Sequence, residues 1–262
     1  MQKQQHIVVI GAGRLASHVL EALTPHKNIA LTLFNHRRSK KAVALSRQYA
    51  CGFTASYAEI PADADYYLVC VKDTAIAEVA RALKPKQLKG CVLHTSGTAE
   101  LALLKGVSPL TGVFYPLQTF SEGDHVQWNE IPVLAEAASL KTLQAIWKFA
   151  NLLGAKITPC KPGERLKMHA AAVIANNFSN AMYALAFDFV SDELSVKHTK
   201  LLLPLIRQTA RKIEHLPPHK AQTGPAVRGD QETIKKHLLL LKKYPQTKKV
   251  YELITRVIMA RK

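Results

Sequence analysis

Carboxylates, cysteines and long apolar runs are all in short supply in this chain, and each shortage removes a class of protein. Only 19 Asp and Glu stand against 36 Lys and Arg, for a formal charge of +17. The excess is uneven, with 16 cations to 11 carboxylates in residues 1–150 and 20 to 8 in residues 151–262. Such a surface steers anionic ligands or holds nucleic acid without reading its sequence. The lysines, however, come as scattered doublets (Lys235-Lys236, Lys242-Lys243, Lys248-Lys249) with few aromatics between them, so no specific nucleic-acid partner is expected. The four cysteines, Cys51, Cys70, Cys91 and Cys160, form no Cys-x-x-Cys pair and no His-Cys cluster. That excludes a disulfide framework, gives no ground for a metal, and leaves core filling as their role. No apolar stretch approaches the length of a membrane span, and Met1-Gln2-Lys3-Gln4-Gln5-His6 runs straight into an apolar segment without a leader. A cytoplasmic protein without a membrane partner is the expectation.

What is present begins with a glycine-punctuated turn. Ile7-Val8-Val9-Ile10 flows into Gly11-Ala12-Gly13-Arg14-Leu15-Ala16 and then into the amphipathic stretch Val19-Leu20-Glu21-Ala22-Leu23. This order reads strand, tight turn, helix. Gly11 allows the turn, Gly13 lets backbone approach a pyrophosphate, and Ala16 lets the helix pack on the strand. Arg14 and Leu15 open the helix on which the phosphates would rest. A second apolar run, Ile29-Ala30-Leu31-Thr32-Leu33-Phe34, ends in Asn35-His36-Arg37-Arg38-Ser39, about 20 residues past the glycines, where a ribose-reading residue belongs. An NAD site places a carboxylate there. Here Arg37 and Arg38 offer guanidinium groups, with Asn35 and Ser39 as small polar neighbours, a set that suits the ribose phosphate of NADP.

The pattern continues as alternating helical and strand segments. Residues 41–49 and 75–83 read as helices, and residues 54–60 as a loop or short strand. Tyr66-Tyr67-Leu68-Val69-Cys70-Val71 and Cys91-Val92-Leu93-His94 read as buried strands, as do residues 112–115, 131–134 and 155–158, with a helix over 140–153. Alternation of this kind predicts a parallel sheet covered by helices, with ligands beyond the carboxyl ends of its strands. Val71 and Lys72, Ser96 and Tyr115 fall at those ends.

Thr158-Pro159-Cys160-Lys161-Pro162-Gly163 interrupts any regular element and reads as a hinge. The expected fold is thus α/β: a Rossmann-type NADP-binding domain over residues 1–158, then an all-α substrate and dimerisation domain over 159–262. Helical spacing covers residues 164–190, 196–215, 230–243 and 248–260. On the first of these helices His169, Asn176 and Asn180 lie seven and four apart, on one face, among Ala, Val, Ile and Phe that suggest burial. His169 is the candidate proton donor for a hydride transfer, Asn176 its orienting partner or a holder of the substrate, and Asn180 a substrate contact; Lys167 is the competing acid. Further on, Asp230 is placed to cap a helix. Arg228 would either clamp a substrate carboxylate or phosphate or pair with an acid across a subunit interface.

The Gly11 turn, His94-Thr95-Ser96-Gly97, Phe114-Tyr115-Pro116-Leu117-Gln118-Thr119-Phe120, the stretch from His169 to Asn177, and Thr223-Gly224-Pro225 through Arg228-Gly229-Asp230 carry a resemblance over nearly the whole chain. The chain resembles the Rossmann-like family whose C-terminal half is the domain of unknown function numbered 2520. More distantly it is similar to pyrroline-5-carboxylate reductase and the deazaflavin-dependent NADP oxidoreductases. That likeness implies a homodimer formed through the helical domains, with the active site between the two domains and Tyr115-Pro116 beside the nicotinamide. The chain departs from the β-hydroxyacid dehydrogenases, because Lys167 is followed four residues later by Ala171 and not by asparagine. The leading expectation is an NADPH-dependent reductase or dehydrogenase acting on a small anionic imine or carbonyl compound. A non-catalytic NADP-binding sensor is the alternative.

Overall fold

The computed structural model describes residues 4–261. The chain divides between Ala172 and Val173 into two compact units. The first is built on an eight-stranded sheet. Its strands are β1 (Gln5–Ile10), β2 (Ile29–Phe34), β3 (Gly52–Thr54), β4 (Tyr66–Val69), β5 (Cys91–His94), β6 (Thr111–Pro116), β7 (Pro132–Ala137) and β8 (Lys156–Pro159). They stand in the order β3-β2-β1-β4-β5-β6-β7-β8. Helices α1 (Arg14–Leu23), α2 (Lys40–Gln48), α3 (Ile76–Leu83), α4 (Leu140–Leu153) and α5 (Glu164–Ala172) complete this unit.

Alternation along the strands sends side chains to both faces. On β1, Ile7 and Val9 join Val19, Leu20 and Leu23 of α1 and Phe149 of α4 in one core. Val8 and Ile10 face the other way, against Ile76, Val79 and Leu83 of α3. All four β1 side chains are fully buried, each contributing roughly 1.5–3 kcal/mol. Cys70 and Cys91 are buried among these apolar groups, whereas Cys51 and Cys160 are only half-buried.

The expectation of a parallel sheet fails at one step. β6 and β7 pair antiparallel, with Phe114 opposite Ala135, so β7 and β8 run against the other six strands. The reason lies in the connection. A return in the parallel sense needs a crossover segment, usually a helix, and between β6 and β7 the chain forms only a 3-10 turn, Trp128–Glu130. The segment 54–60 resolves into the end of β3 and a 3-10 turn, Tyr57–Glu59.

Among the described residues of the second unit every regular element is helical: a π-helical segment, Val173–Phe178, then α6 (Ser179–Glu193), α7 (Val196–Thr199), α8 (Leu203–Lys212), α9 (Pro218–Ala221), α10 (Pro225–Arg228), α11 (Gln231–Leu240) and α12 (Pro245–Met259), with 3-10 turns at Lys200–Leu202 and Leu241–Lys243. Gly224 precedes α10 at φ +115° and Gly229 closes it at φ +72°, conformations that other residues adopt at a cost. Asp230 caps α11, its Oδ1 accepting the Thr233 amide at 3.0 Å. Among the described residues of this unit, Ala226, Ile234 and Leu241 are the buried hydrophobics, while Leu201 and Leu239 are each 72% exposed. No helix of the described chain is long and apolar enough to cross a membrane.

Candidate active site

The β1–α1 corner is shaped for a phosphate. Gly11 sits at φ +108°, its amide donating to the Phe34 carbonyl at 2.8 Å. A Cβ there would lie 2.4 Å from the Cys70 carbonyl oxygen, so no other residue fits without moving the backbone that leaves β4. Gly13 is the N-cap of α1 and supplies no capping side chain. α2, α4 and α11 begin on Ser39, Ser139 and Asp230, whose side-chain oxygens accept amide hydrogens, whereas α3, α8 and α12 also lack a capping side chain; what sets α1 apart is that its bare first turn follows two glycines at a strand end. The first turn of α1 therefore keeps its amide donors and the positive end of its dipole for an anion. Arg14 is exposed beside it, and Leu15 packs on the core.

A cleft of about 370 Å³ opens from this corner. It is lined by Gly11, Gly13, Asn35, His36, Ser39, Tyr57, Val71 and Lys72, with Glu78 on its α3 side. The end of β2 holds no carboxylate. Of the two guanidinium groups expected there, that of Arg38 lies 6.0 Å over the Phe53 ring, and the Arg37 backbone carbonyl accepts from the Asn35 amide. Ser39 Oγ accepts the Ala42 amide at 3.2 Å, so its side chain begins α2 as well as bordering the cleft. His36 and Tyr57 join this lining without a local sequence signal that marks them.

At the neighbouring strand ends lies a polar network. Ser96 is buried and its Oγ accepts the amides of Thr98 and Ala99 at 3.0 and 2.8 Å, which shapes the turn after β5. Thr98 Oγ1 donates to Asp73 Oδ2 at 2.5 Å. Arg165, at the start of α5 and only 5% exposed, ties this turn down: Nη1 donates to the Ser96 carbonyl at 2.9 Å and Nη2 to the Ala99 carbonyl at 2.7 Å. Its charge is matched by buried Glu136 of β7, whose Oε2 accepts from Nη2 at 3.1 Å and Nε at 3.3 Å. A buried pair persists only when its remaining donors are satisfied, as here. His94, fully buried at the end of β5, is held neutral: burial and the nearby Arg165 push its pKa down to about 4.

Tyr115 at the end of β6 and His169 on α5 meet, Oη to Nδ1, at 2.9 Å. Burial pushes the Tyr115 phenol above its ordinary value, with Arg165 opposing and Asp73 adding to the rise. Lys167 is exposed. Asn176 and Asn180 are exposed too, and Asn176 Nδ2 donates to Asn177 Oδ1 at 3.4 Å. The expected burial of this stretch does not hold in the chain, since Ile174 and Phe178 are 62% and 57% exposed. Its α spacing fails as well, because Val173–Phe178 is π-helical and turns less per residue than an α-helix. The premise that aligned His169 with Asn176 and Asn180 is thereby removed. Arg228 is exposed at the end of α10. Arg165 and Glu136 escaped the sequence reading; the available signal was a lone carboxylate in an otherwise apolar strand, Pro132-Val133-Leu134-Ala135-Glu136-Ala137.

Two families match separate stretches of the chain. The one described as NADP oxidoreductase coenzyme F420-dependent covers residues 6–93, and the domain of unknown function DUF2520 covers residues 131–258, which takes in β7, α4 and β8 as well as the helices. A crystal structure of a Bacteroides fragilis protein provisionally assigned as an NADP oxidoreductase superposes with a TM-score of 0.89 at 34% identity, over 98% of each chain. A Thermotoga maritima protein superposes at 0.70 with 23% identity over 97% of each chain. The pyrroline carboxylate reductase of Plasmodium falciparum, solved with NADP bound, superposes at 0.61 with 12% identity over 100% of this chain and 99% of that one. No curated protein matches the sequence.

Proposed function

The chain belongs to the same family as the Bacteroides fragilis protein, and from that premise we propose that it is an NADP(H)-dependent oxidoreductase acting on a small anionic imine or carbonyl compound. The observation that carries the reading is the α1 N-terminus, left without a capping side chain behind a glycine whose Cβ would strike Cys70. Gly11, Gly13, Arg14 and Leu15 would hold the pyrophosphate. Asn35, Arg37, Arg38 and Ser39, joined by His36, would hold the ribose and its phosphate, since the end of β2 supplies no acid to receive a free 2′-hydroxyl. When bound, the reduced cofactor supplies a hydride from its nicotinamide ring. Val71, Lys72, Ser96 and Tyr115 would flank that ring, and His169 would manage the accompanying proton. Arg228, exposed within the basic second unit, is the side chain proposed to meet an anionic group of the substrate.

The same reading makes the second unit a homodimerisation domain. Its support is the apolar surface left open on the helices, with Val196, Leu201, Leu205 and Leu239 each at least 65% exposed. Calorimetry with NADPH and NADH, followed by NADPH oxidation against cyclic imino acids, keto acids and aldehydes, tests the proposal. Tight binding of NADPH over NADH with turnover of one class is the expected result. Binding without turnover across the panel would make the protein a nucleotide sensor instead, and no heat with either cofactor would end the reading.

A further inference from the structure

The contact between Tyr115 and His169 is more constrained than two neighbouring polar side chains require. The rings are set edge to face with centroids 5.8 Å apart. A Cβ on Gly97 would lie 2.4 Å from His169 Nδ1 and 3.0 Å from Tyr115 Cζ, so the bare backbone of the turn after β5 presses against both partners. That turn is the one Arg165 holds through the Ser96 and Ala99 carbonyls. Arg165 and His169 lie four apart on α5, hence on one face of the helix. Docking Arg165 between Glu136 and the turn thus sets where the next helical turn delivers His169.

We propose that Tyr115 is the group that hands a proton to the substrate nitrogen or oxygen, that His169 resupplies it, and that Arg165 is the positioning residue that keeps the two together; the proposal rests on the oxidoreductase reading above. The hydrogen bond decides when the phenol can act. With a neutral imidazole the Tyr115 hydroxyl donates to Nδ1 and its proton is held. With a protonated imidazole, Nδ1–H donates to Oη and the phenolic proton is free to leave. As the substrate carbon accepts the hydride named above, the π-electron pair moves onto the attached nitrogen or oxygen and forms a bond to the Tyr115 proton. The Tyr115 O–H bond breaks, the Nδ1–H bond breaks to restore it, and the neutral imidazole recovers its proton from water. The substrate is reduced by two electrons, the nicotinamide is oxidised by two, and the phenol ends as it began. Burial of Tyr115, which disfavours a phenolate, suits a group that must enter and leave the step protonated.

Tyr115→Phe keeps the ring against His169 and removes only the hydroxyl. In the cofactor-free protein, ¹⁵N NMR of His169 should show an altered Nδ1 resonance and tautomer balance in this variant, and a smaller change in the same direction in Arg165→Lys. In the loaded enzyme, kcat for the best substrate of the imino-acid, keto-acid and aldehyde panel should fall by about 10²–10⁴ in Tyr115→Phe, a larger change than in substrate KM. Arg165→Lys should lower kcat less, because it keeps a cation but loses the fork that grips two carbonyls and a carboxylate. Wild-type kcat in Tyr115→Phe, or His169 resonances unmoved by that change, would overturn the proton-donor assignment and leave the oxidoreductase reading standing. Wild-type His169 resonances in a folded Arg165→Lys protein would overturn the positioning role. A wild-type enzyme that oxidises NADPH with no member of the panel would overturn both readings together.

Discussion

His94 should make this protein acid-sensitive in a way that one substitution abolishes. The imidazole is fully buried, its Nδ1 accepts the Ser96 amide at 3.3 Å, and its pKa falls from 6.5 to about 4 because burial and Arg165 both oppose its charged form. Below pH 6.5 the unfolded chain takes up a proton that the folded chain refuses until pH 4. Stability is therefore whole above 6.5, declines as pH falls from there to about 4, and levels off beneath. The gap between the two values corresponds to about 3 kcal/mol, a large share of a typical domain's 5–15 kcal/mol. His94→Asn keeps an acceptor near the position of Nδ1 and cannot titrate. Urea unfolding followed by circular dichroism at about pH 7 and about pH 4.5 measures the effect. Wild type should lose about 2–3 kcal/mol more than His94→Asn across that interval, whatever the variant's stability at neutral pH. Parallel pH profiles for the two proteins would refute the argument, since other carboxylates and histidines contribute equally to both.

Other substitutions probe separate links. Gly11→Ala should abolish NADPH binding by calorimetry and lower the melting temperature, because its Cβ would sit 2.4 Å from the Cys70 carbonyl at a φ of +108°. Glu136→Gln should destabilise the chain by about 3–5 kcal/mol in denaturant titration, since it leaves the Arg165 guanidinium buried without its counter-charge. Asp230→Ala removes the two bonds to Thr233 that start α11 and should lower the midpoint in the same titration, whereas Asp230→Asn, which keeps an acceptor, should lower it less. Thiol labelling of native protein at mildly alkaline pH should modify Cys51 and Cys160 long before Cys70 and Cys91, both of whose thiols burial pushes up to about 12.

The parts of the fold that follow from local spacing were legible. Strand, glycine turn and helix at residues 5–23 are written in a few adjacent residues, and the strand ends that border the cleft follow from the alternation after them. The direction of β7 was not legible, because apolar content is the same whichever way a strand runs; only the lack of a crossover helix before it betrays the reversal. The alignment of His169 with Asn176 assumed a constant turn per residue, which a π segment violates without any sign in the composition. Arg165 and Glu136 are 29 positions apart, and a charge pair at that separation is invisible until the sheet brings it together. His169 is marked by its chemistry, whereas nothing in the sequence pairs it with Tyr115, 54 positions away.

Among the described residues beyond 172 just three apolar side chains are buried, a small return against an ordering cost of roughly 1–2 kcal/mol for each residue held in place. If their open leucines are closed by another copy of the chain, as proposed, mass action governs the folded population. Dilution would then act as a denaturant, and a cell that makes less of this protein would also make a less durable one.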